Sequence, residues 1–473
     1  MKRLSTLLPI AGVAALAVAG NSVAQSGSPT AEELELLIDP IFSHIMADQN
    51  IPGAVFVMVK DGRILLKKGY GHSDLAGDRR VDPDLTIFRI GSITKTFTAT
   101  AVMQLVDRGL IDLEADVNRY LSHVQVPPTF SEPVTVADLL RHTSGFDEIG
   151  PGRQAFSEAE LQSLSEFLRD RLIRVRPPGD VPAYSTYGIA LAGLLVEEIT
   201  RQPLDAYLQD NLWQPLGMDR TSIRIPTALE QDVAVGYEYE GERNRAQPWE
   251  WYQTYPASDI NSTAADMAKY MIAHLRDGAY RDVRMLSDAS AREMKTLQAT
   301  GHPRVSGFGY GFYENLWAGQ RTIDHGGDML GFSAYLLMIP EHDAGVFIAH
   351  HHEGERLRYD VVSAIMERFY RRAPGFEIPE PSGASKTNGE FAGTYRWLSS
   401  CKTCSGGDPG VTWNITANED GSLSMIGRRF IQVEPLFFAS EDGNLRLGFR
   451  RDEAGGISHL FLGNQDSFEK IEG

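Results

Sequence analysis

The stretch "RIGSITKTFTATAVMQLVDRG", Arg89 to Gly109, decides how the chain is read. Phe97, Val102, Leu105 and Val106 recur at helical spacing and Gly109 offers a C-cap, so the pattern predicts a helix opening at Ser92. That puts Lys95 in the first turn, where the positive end of the helix dipole disfavours a cation. Side chains at i and i+3 share a helix face, so the Lys95 amine reaches the Ser92 hydroxyl. A partly buried lysine beside a positive helix end loses affinity for its proton, and an uncharged amine is the base a nucleophilic hydroxyl needs. The alternative makes Ser92 an N-cap and Lys95 a solvated side chain. Two further Ser-x-x-Lys tetrads, Ser399 to Lys402 and Ser467 to Lys470, fall in strand-like segments, where this spacing does not bring side chains together.

The flanking sequence is of α+β order. Thr30 and Glu33 form a capping-box pattern ahead of Leu34, Ile38, Ile41, Phe42 and Ile45 at helical spacing. "GAVFVMVKDGRILLKKGYG", Gly53 to Gly71, is a hairpin signature with Asp61-Gly62 at the turn. Ser92 to Leu216 is helix-rich, strands return with "FSAYLLMIPEHDAGVFIAH" (Phe332 to His350), and a last helix is expected around Tyr359 to Arg371. Pro, Gly and Ser mark residues 373–388 as a linker. From 389 to 473, short alternating runs between Asp-Gly and Gly-Gly turns predict a small antiparallel β-barrel.

With 473 residues, 42% of them hydrophobic, the chain has an ordinary globular composition and room for two or three domains. A formal charge of -18 without a basic patch speaks against nucleic acid and against anionic lipid surfaces. Lys2 and Arg3, the apolar run Leu4 to Val18 and Ser22-Val23-Ala24 read as an export signal over residues 1–24, cleaved before Gln25. The run is short for a hydrocarbon core of ~30 Å, so stable membrane insertion is not expected and the mature chain is placed in the periplasm or outside the cell. In that setting the only two cysteines, Cys401 and Cys404, suggest a small-loop disulfide.

"SITK" is accompanied in order by "LLRHTSGF" (Leu139 to Phe146), "PPGDVPAYSTYGIALAG" (Pro177 to Gly193), "PLGM" (Pro215 to Met218), "STAADMAKY" (Ser262 to Tyr270) and "DHGGDMLGF" (Asp324 to Phe332). In these motifs, between about Ile51 and His350, the chain resembles the penicillin-recognising serine hydrolases: class C β-lactamases, D-alanyl-D-alanine carboxypeptidases, D-aminopeptidases and related esterases. The resemblance implies a β-lactamase-like domain over residues 25–372, an antiparallel sheet flanked by helices with a helical subdomain, followed by the lipocalin-like barrel. It implies catalysis by Ser92 and Lys95, with Tyr184 relaying the proton and a cationic neighbour lowering its pKa. The family's Tyr-x-Asn falls on Tyr184, Ser185 and Thr186, so the amide that meets lysine and substrate is replaced by a shorter hydroxyl. The Lys-Thr-Gly element falls on His325, Gly326 and Gly327, with the amides of Ser92 and Asp328 as the oxyanion hole. His325 would flank the site, and His for Lys points toward peptidases and esterases.

The aromatic stretch "WEWYQTY", with Trp249 and Trp251, either walls an apolar substrate pocket or packs against the barrel. "HHHE" at His350 to Glu353 leaves at most His350 and His352 on one strand face, so no metal site and no cofactor are expected. The function expected is an exported serine hydrolase acting on a small-molecule or peptide amide or ester through an acyl-enzyme on Ser92. The alternatives are a β-lactamase and a non-catalytic receptor for cell-wall peptides. Nothing in the sequence fixes the oligomeric state.

Overall fold

The computed structural model describes residues 28–372, 388–404, 410–463 and 466–472. The expected export signal and residues 373–387 of the expected linker lie outside the described residues.

Helix α1 (Ala31–Asp48) opens with the capping box: Thr30 N donates to Glu33 Oε2 (3.0 Å) and Glu33 N to Thr30 Oγ1 (3.2 Å). Its buried face is Leu34, Ile38, Phe42 and Ile45, with Ile41 partly buried beside them. Strands β1 (Gly53–Lys60) and β2 (Arg63–Asp74) form the hairpin, with Asp61 (φ 51°) and Gly62 (φ 72°) both left-handed, as a tight two-residue turn requires. Strand β3 (Arg79–Arg80) follows, and much later β4 (Tyr313–Trp317), β5 (Gln320–Met329), β6 (Phe332–Ile339) and β7 (Ala344–His350). They make one antiparallel seven-stranded sheet in the order β4-β5-β6-β7-β1-β2-β3.

Every residue of β1 is buried because both faces of the sheet are covered. Ala54, Phe56 and Met58 pack against α1 and the C-terminal helix α5 (Arg356–Ile365), while Val55, Val57 and Val59 join the larger core on the other face. That larger core includes the helices inserted between β3 and β4: α2 (Thr94–Asp107), α3 (Thr186–Thr200) and α4 (Ala264–Leu275). Among the described residues no helix is long and apolar enough to cross a membrane.

Eight strands, from Gly393–Trp397 to Asp466–Glu472, follow one another around a closed antiparallel barrel, the first pairing with the last. Phe391, Tyr395, Phe430, Phe438, Phe449 and Phe468 form its aromatic interior. The barrel docks on the rest of the chain through a core of its own, made by Val181, Ala183 and Val305 with Leu398, Phe437 and Phe461. Gly301 lies so close to Phe461 that a Cβ there would come within 2.0 Å of the ring, and ion pairs Arg304–Glu434 (3.0 Å) and Arg450–Asp180 (3.1 Å) border the contact. Phe461→Ala should therefore cost about 3 kcal/mol in denaturant unfolding through the cavity it leaves; a change below about 1 kcal/mol would show that this docking is not part of the stable fold.

Candidate active site

The expected helix begins slightly later than its sequence suggests. Ser92 sits in a 3-10 turn, Gly91–Ile93, and α2 starts at Thr94 without a side-chain cap, so Ser92 is not serving as an N-cap. Its hydroxyl instead accepts a hydrogen bond from Lys95 Nζ at 3.0 Å. Lys95 is only 1% exposed, and its other partner is the carbonyl oxygen of Ala257 at 2.8 Å. Burial without a charged hydrogen-bond partner strips solvation from the ammonium and pushes its pKa down to about 7, with nearby Glu148 opposing the shift and Arg153 adding to it.

The threonines around Lys95 fix that burial. Thr94 Oγ1 accepts from Ile260 N (3.0 Å) and Thr98 Oγ1 donates to Pro256 O (2.5 Å), so three neighbouring positions on α2 hold the segment that supplies the Ala257 carbonyl. Thr96 and Thr100 turn their hydroxyls back onto Ile93 O and Thr96 O, both at 2.8 Å, which lets polar side chains sit inside the core.

Strand β5 passes hard against the Ser92 turn. Gly91 has φ 53°, and a Cβ on it would lie 2.8 Å from the Asp328 amide nitrogen; one on Gly327 would lie 1.9 Å from Ile90 O and 2.9 Å from Ser92 N. Two glycines thus let the amides of Ser92 and Asp328 come together as the expected oxyanion hole requires.

Tyr184 lies beside Lys95, whose Nζ is 4.8 Å from its ring centre, and near the hydroxyls of Ser92 and Tyr313. Its pKa does not fall as expected. Burial raises it, and the neighbouring Ser92 and Tyr313 hydroxyls, which favour the phenolate, do not reverse that. The phenol therefore stays protonated and is suited to donate a proton. His325 stacks on Tyr313 (4.2 Å between ring centres), and Nδ1 donates to the Gly326 carbonyl at 2.6 Å, an assignment that follows because a carbonyl only accepts. Burial and the nearby Lys95 hold its pKa well below the usual value, so Nε2, buried without a protein partner, presents a lone pair.

Thr186 begins α3, and its amide donates to Glu148 Oε1 at 2.6 Å, with the Tyr187 amide at 3.4 Å. Glu148 also pairs with Arg153 (3.4 Å), and burial raises its pKa. Sequence reasoning missed Glu148, which lies two residues past "LLRHTSGF"; a carboxylate following a glycine-containing motif was the available signal. It also missed His142, whose Nδ1 accepts from Ser185 N (3.1 Å), and Tyr313. Trp249 lies under the Arg89 guanidinium at 4.3 Å and edge-on to Trp251, which pairs with Ala155, while Glu250 Oε1 accepts from Leu330 N (3.3 Å). These contacts place the aromatic stretch beside the end of β5, on the sheet-and-helix domain rather than against the barrel. Cys401 and Cys404 are joined in a disulfide. Among the described residues no group of three His, Cys, Asp or Glu side chains is placed to hold a metal ion.

A buried amine on a serine hydroxyl, a protonated phenol and two converging amides are the parts that acyl transfer calls for, set on an antiparallel sheet. Residues 38–363 match the Beta-lactamase family model, and the chain belongs to that family, whose members are typically serine hydrolases. Protein flp of Staphylococcus aureus strain N315 is 26% identical over 66% of this chain, and the chain spans only 62% of that relative's length. Penicillin-binding protein 4 of Amycolatopsis lactamdurans is 30% identical over 63% of this chain and 80% of its own. In three dimensions the fold is similar to an octameric penicillin-binding protein homologue from Pyrococcus abyssi (TM-score 0.61, 24% identity, 91% of this chain and 99% of that one) and to SurE (TM-score 0.64, 19% identity, 93% and 99%).

Because the amine must be uncharged to take a proton, labelling of Ser92 by a fluorophosphonate should speed up as pH rises through about 7 and then level off. Lys95→Arg, which cannot become neutral, should remove that rise and slow labelling at least about 100-fold; a pH-independent rate in the native protein would overturn the assignment of the base.

Proposed function

We propose that the protein is an exported serine hydrolase that cleaves an amide or ester bond through an acyl-enzyme on Ser92, of the D-amino-acid peptidase or carboxylesterase type. The observation that carries this reading is the 3.0 Å contact between Ser92 Oγ and an amine whose pKa burial lowers to about 7. Lys95 Nζ takes the Ser92 proton as Oγ attacks the carbonyl carbon, and the amides of Ser92 and Asp328 receive the charge on oxygen. The C–N or C–O bond then breaks; Tyr184 gives its proton to the leaving group and regains one from the Lys95 ammonium. Water enters, loses a proton to Lys95, and releases the acid as Ser92 recovers its hydrogen.

His325 supports the peptidase or esterase reading over the β-lactamase one. A β-lactam presents a carboxylate, for which a cation or hydrogen-bond donor is the fitting partner, whereas His325 offers a neutral acceptor. The same site favours a substrate that brings a donor, such as an amide N–H or an amino group. Trp249 and Trp251, beside the end of β5, are suited to meet an apolar part of a substrate; Thr186 lies two residues past Tyr184 and Gly327 on the Ser92 face of β5, whereas Gly326 faces Arg358 behind the strand. Export is supported by the apolar segment within residues 1–24 and by the disulfide.

Purified protein should hydrolyse p-nitrophenyl esters or D-amino-acid p-nitroanilides with kcat/KM at least about tenfold above that for nitrocefin. Ser92→Ala should reduce the turnover by about 10⁴-fold or more. Dominant nitrocefin turnover would make it a β-lactamase, and complete inactivity of folded protein on all three would leave the receptor.

A further inference from the structure

Alternation along β5 separates two faces. His325 and Gly327 turn toward Ser92, and a Cβ on Gly326 would point instead at Arg358 Nη2, 3.4 Å away. Arg358, from the first turn of α5, has a side chain only 2% exposed, yet it makes a dense set of hydrogen bonds behind the strand. Nη1 donates to Gly327 O (3.3 Å), Asp328 Oδ1 (2.9 Å), Ser333 Oγ (2.8 Å) and Ala334 O (2.8 Å). Nη2 donates to Asp328 Oδ2 (2.9 Å) and Glu355 Oε1 (2.8 Å). The guanidinium is held charged, since Asp328 and Glu355 together outweigh the effect of its burial.

Gly327 O and Asp328 N belong to one peptide unit. In a planar trans peptide the C=O and N–H point in opposite directions, so a donor that fixes the Gly327 carbonyl also fixes the line of the Asp328 amide, which lies beside Gly91. That amide is the second arm of the oxyanion hole. We propose that Arg358 is a positioning residue for the oxyanion hole: it grips the Gly327–Asp328 peptide by its carbonyl, and Asp328 by its carboxylate, so that the N–H stays aimed beside Ser92. A cationic donor on the carbonyl also polarises the peptide and makes its N–H a better donor. The planar fork matters more than the charge, because one guanidinium must reach two carboxylates, a hydroxyl and two carbonyls at once. The inference rests on the reading of Ser92 as an acylated nucleophile.

The test measures steady-state hydrolysis of the best p-nitrophenyl ester, and inhibition by a boronic acid whose oxygen enters the hole as the tetrahedral adduct forms. Arg358→Lys, confirmed as folded by circular dichroism and thermal melting, should lose kcat by about 30-fold with KM changed less than about threefold, and weaken boronate binding by a similar factor as kcat. Asp328→Asn keeps the amide but sets an N–H against Nη2, and should lose kcat by about fivefold in the same pattern. A folded Arg358→Lys with native kcat and boronate affinity overturns the proposal; if that variant does not fold, native values in Asp328→Asn overturn it. Ser92→Ala is run alongside: full activity there refutes the acyl-enzyme reading itself, while inactive Ser92→Ala with unaffected Arg358→Lys refutes only the role of Arg358.

Discussion

The chemistry of this site depends on one amine being kept out of water. An ammonium in bulk solvent has a pKa near 10.4 and no use as a base at neutral pH. Lys95 has 1% exposure and two uncharged oxygen partners, which is enough to bring it to about 7. The composition of α2 follows from that requirement. Threonine is a poor helix former, yet four of the first seven residues of α2 are threonine, because their hydroxyls either hold the Pro256–Ile260 segment or satisfy themselves on the helix backbone. Apolar residues at Thr94 and Thr98 would preserve the helix and lose the segment that presents the Ala257 carbonyl.

The barrel is tied into the same structure through two adjacent carboxylates that face opposite ways. Asp147 accepts from Lys402 N (2.7 Å), Thr403 N (2.9 Å) and Thr403 Oγ1 (2.6 Å), all within the loop closed by the Cys401–Cys404 disulfide. Glu148, the next residue, accepts from the amides that open α3. The disulfide shapes a loop whose amides converge on one carboxylate, and the neighbouring carboxylate steadies the helix that follows Tyr184. Val181 and Ala183, just before Tyr184, are buried against Leu398, Phe437 and Phe461 of the barrel. The barrel therefore supports the strand-like approach to the phenol as well as the loop bearing Glu148.

What could be read from the sequence was what short-range spacing encodes. The capping box of Thr30 and Glu33, the Asp61-Gly62 turn and the Ser92–Lys95 pair each depend on residues a few positions apart, whereas the glycines of β5, which accommodate Ile90 and Ser92, were legible only through the family resemblance. The direction of the Tyr184 shift was not legible, because it is set by burial among side chains such as His142 and Tyr313, which come from two distant segments. Strand β4 was also missed: Glu314 and Asn315 make it polar, and Asn315 is buried only because Asp324 on β5 accepts its amide (2.8 Å). Glu148 and Arg358 are ordinary charged residues in the sequence, and their roles arise only when distant elements fold onto them. Trp249 and Trp251 were recognisable as a cluster, but their neighbours Arg89 and Ala155 were not.

The distribution of charge around β5 gives the proposed reaction its direction. On the side of Ser92, burial favours the neutral forms of Lys95, Tyr184 and His325 near pH 7. On the other side, Arg358 is paired with Asp328 and Glu355. Charge that develops on a substrate carbonyl oxygen in the proposed reaction therefore meets oriented N–H groups, while positive charge grows on Lys95 as it takes the Ser92 proton. Among buried groups such as Lys95 and His325 these dipoles are effective because they need not reorient, and the low local dielectric screens their field little. The same arrangement is a poor host for a substrate carboxylate, which would have to shed its hydration for an imidazole lone pair and a phenol. An uncharged ester or amide enters without that cost and becomes charged only at the transition state, where the Ser92 and Asp328 amides are aimed.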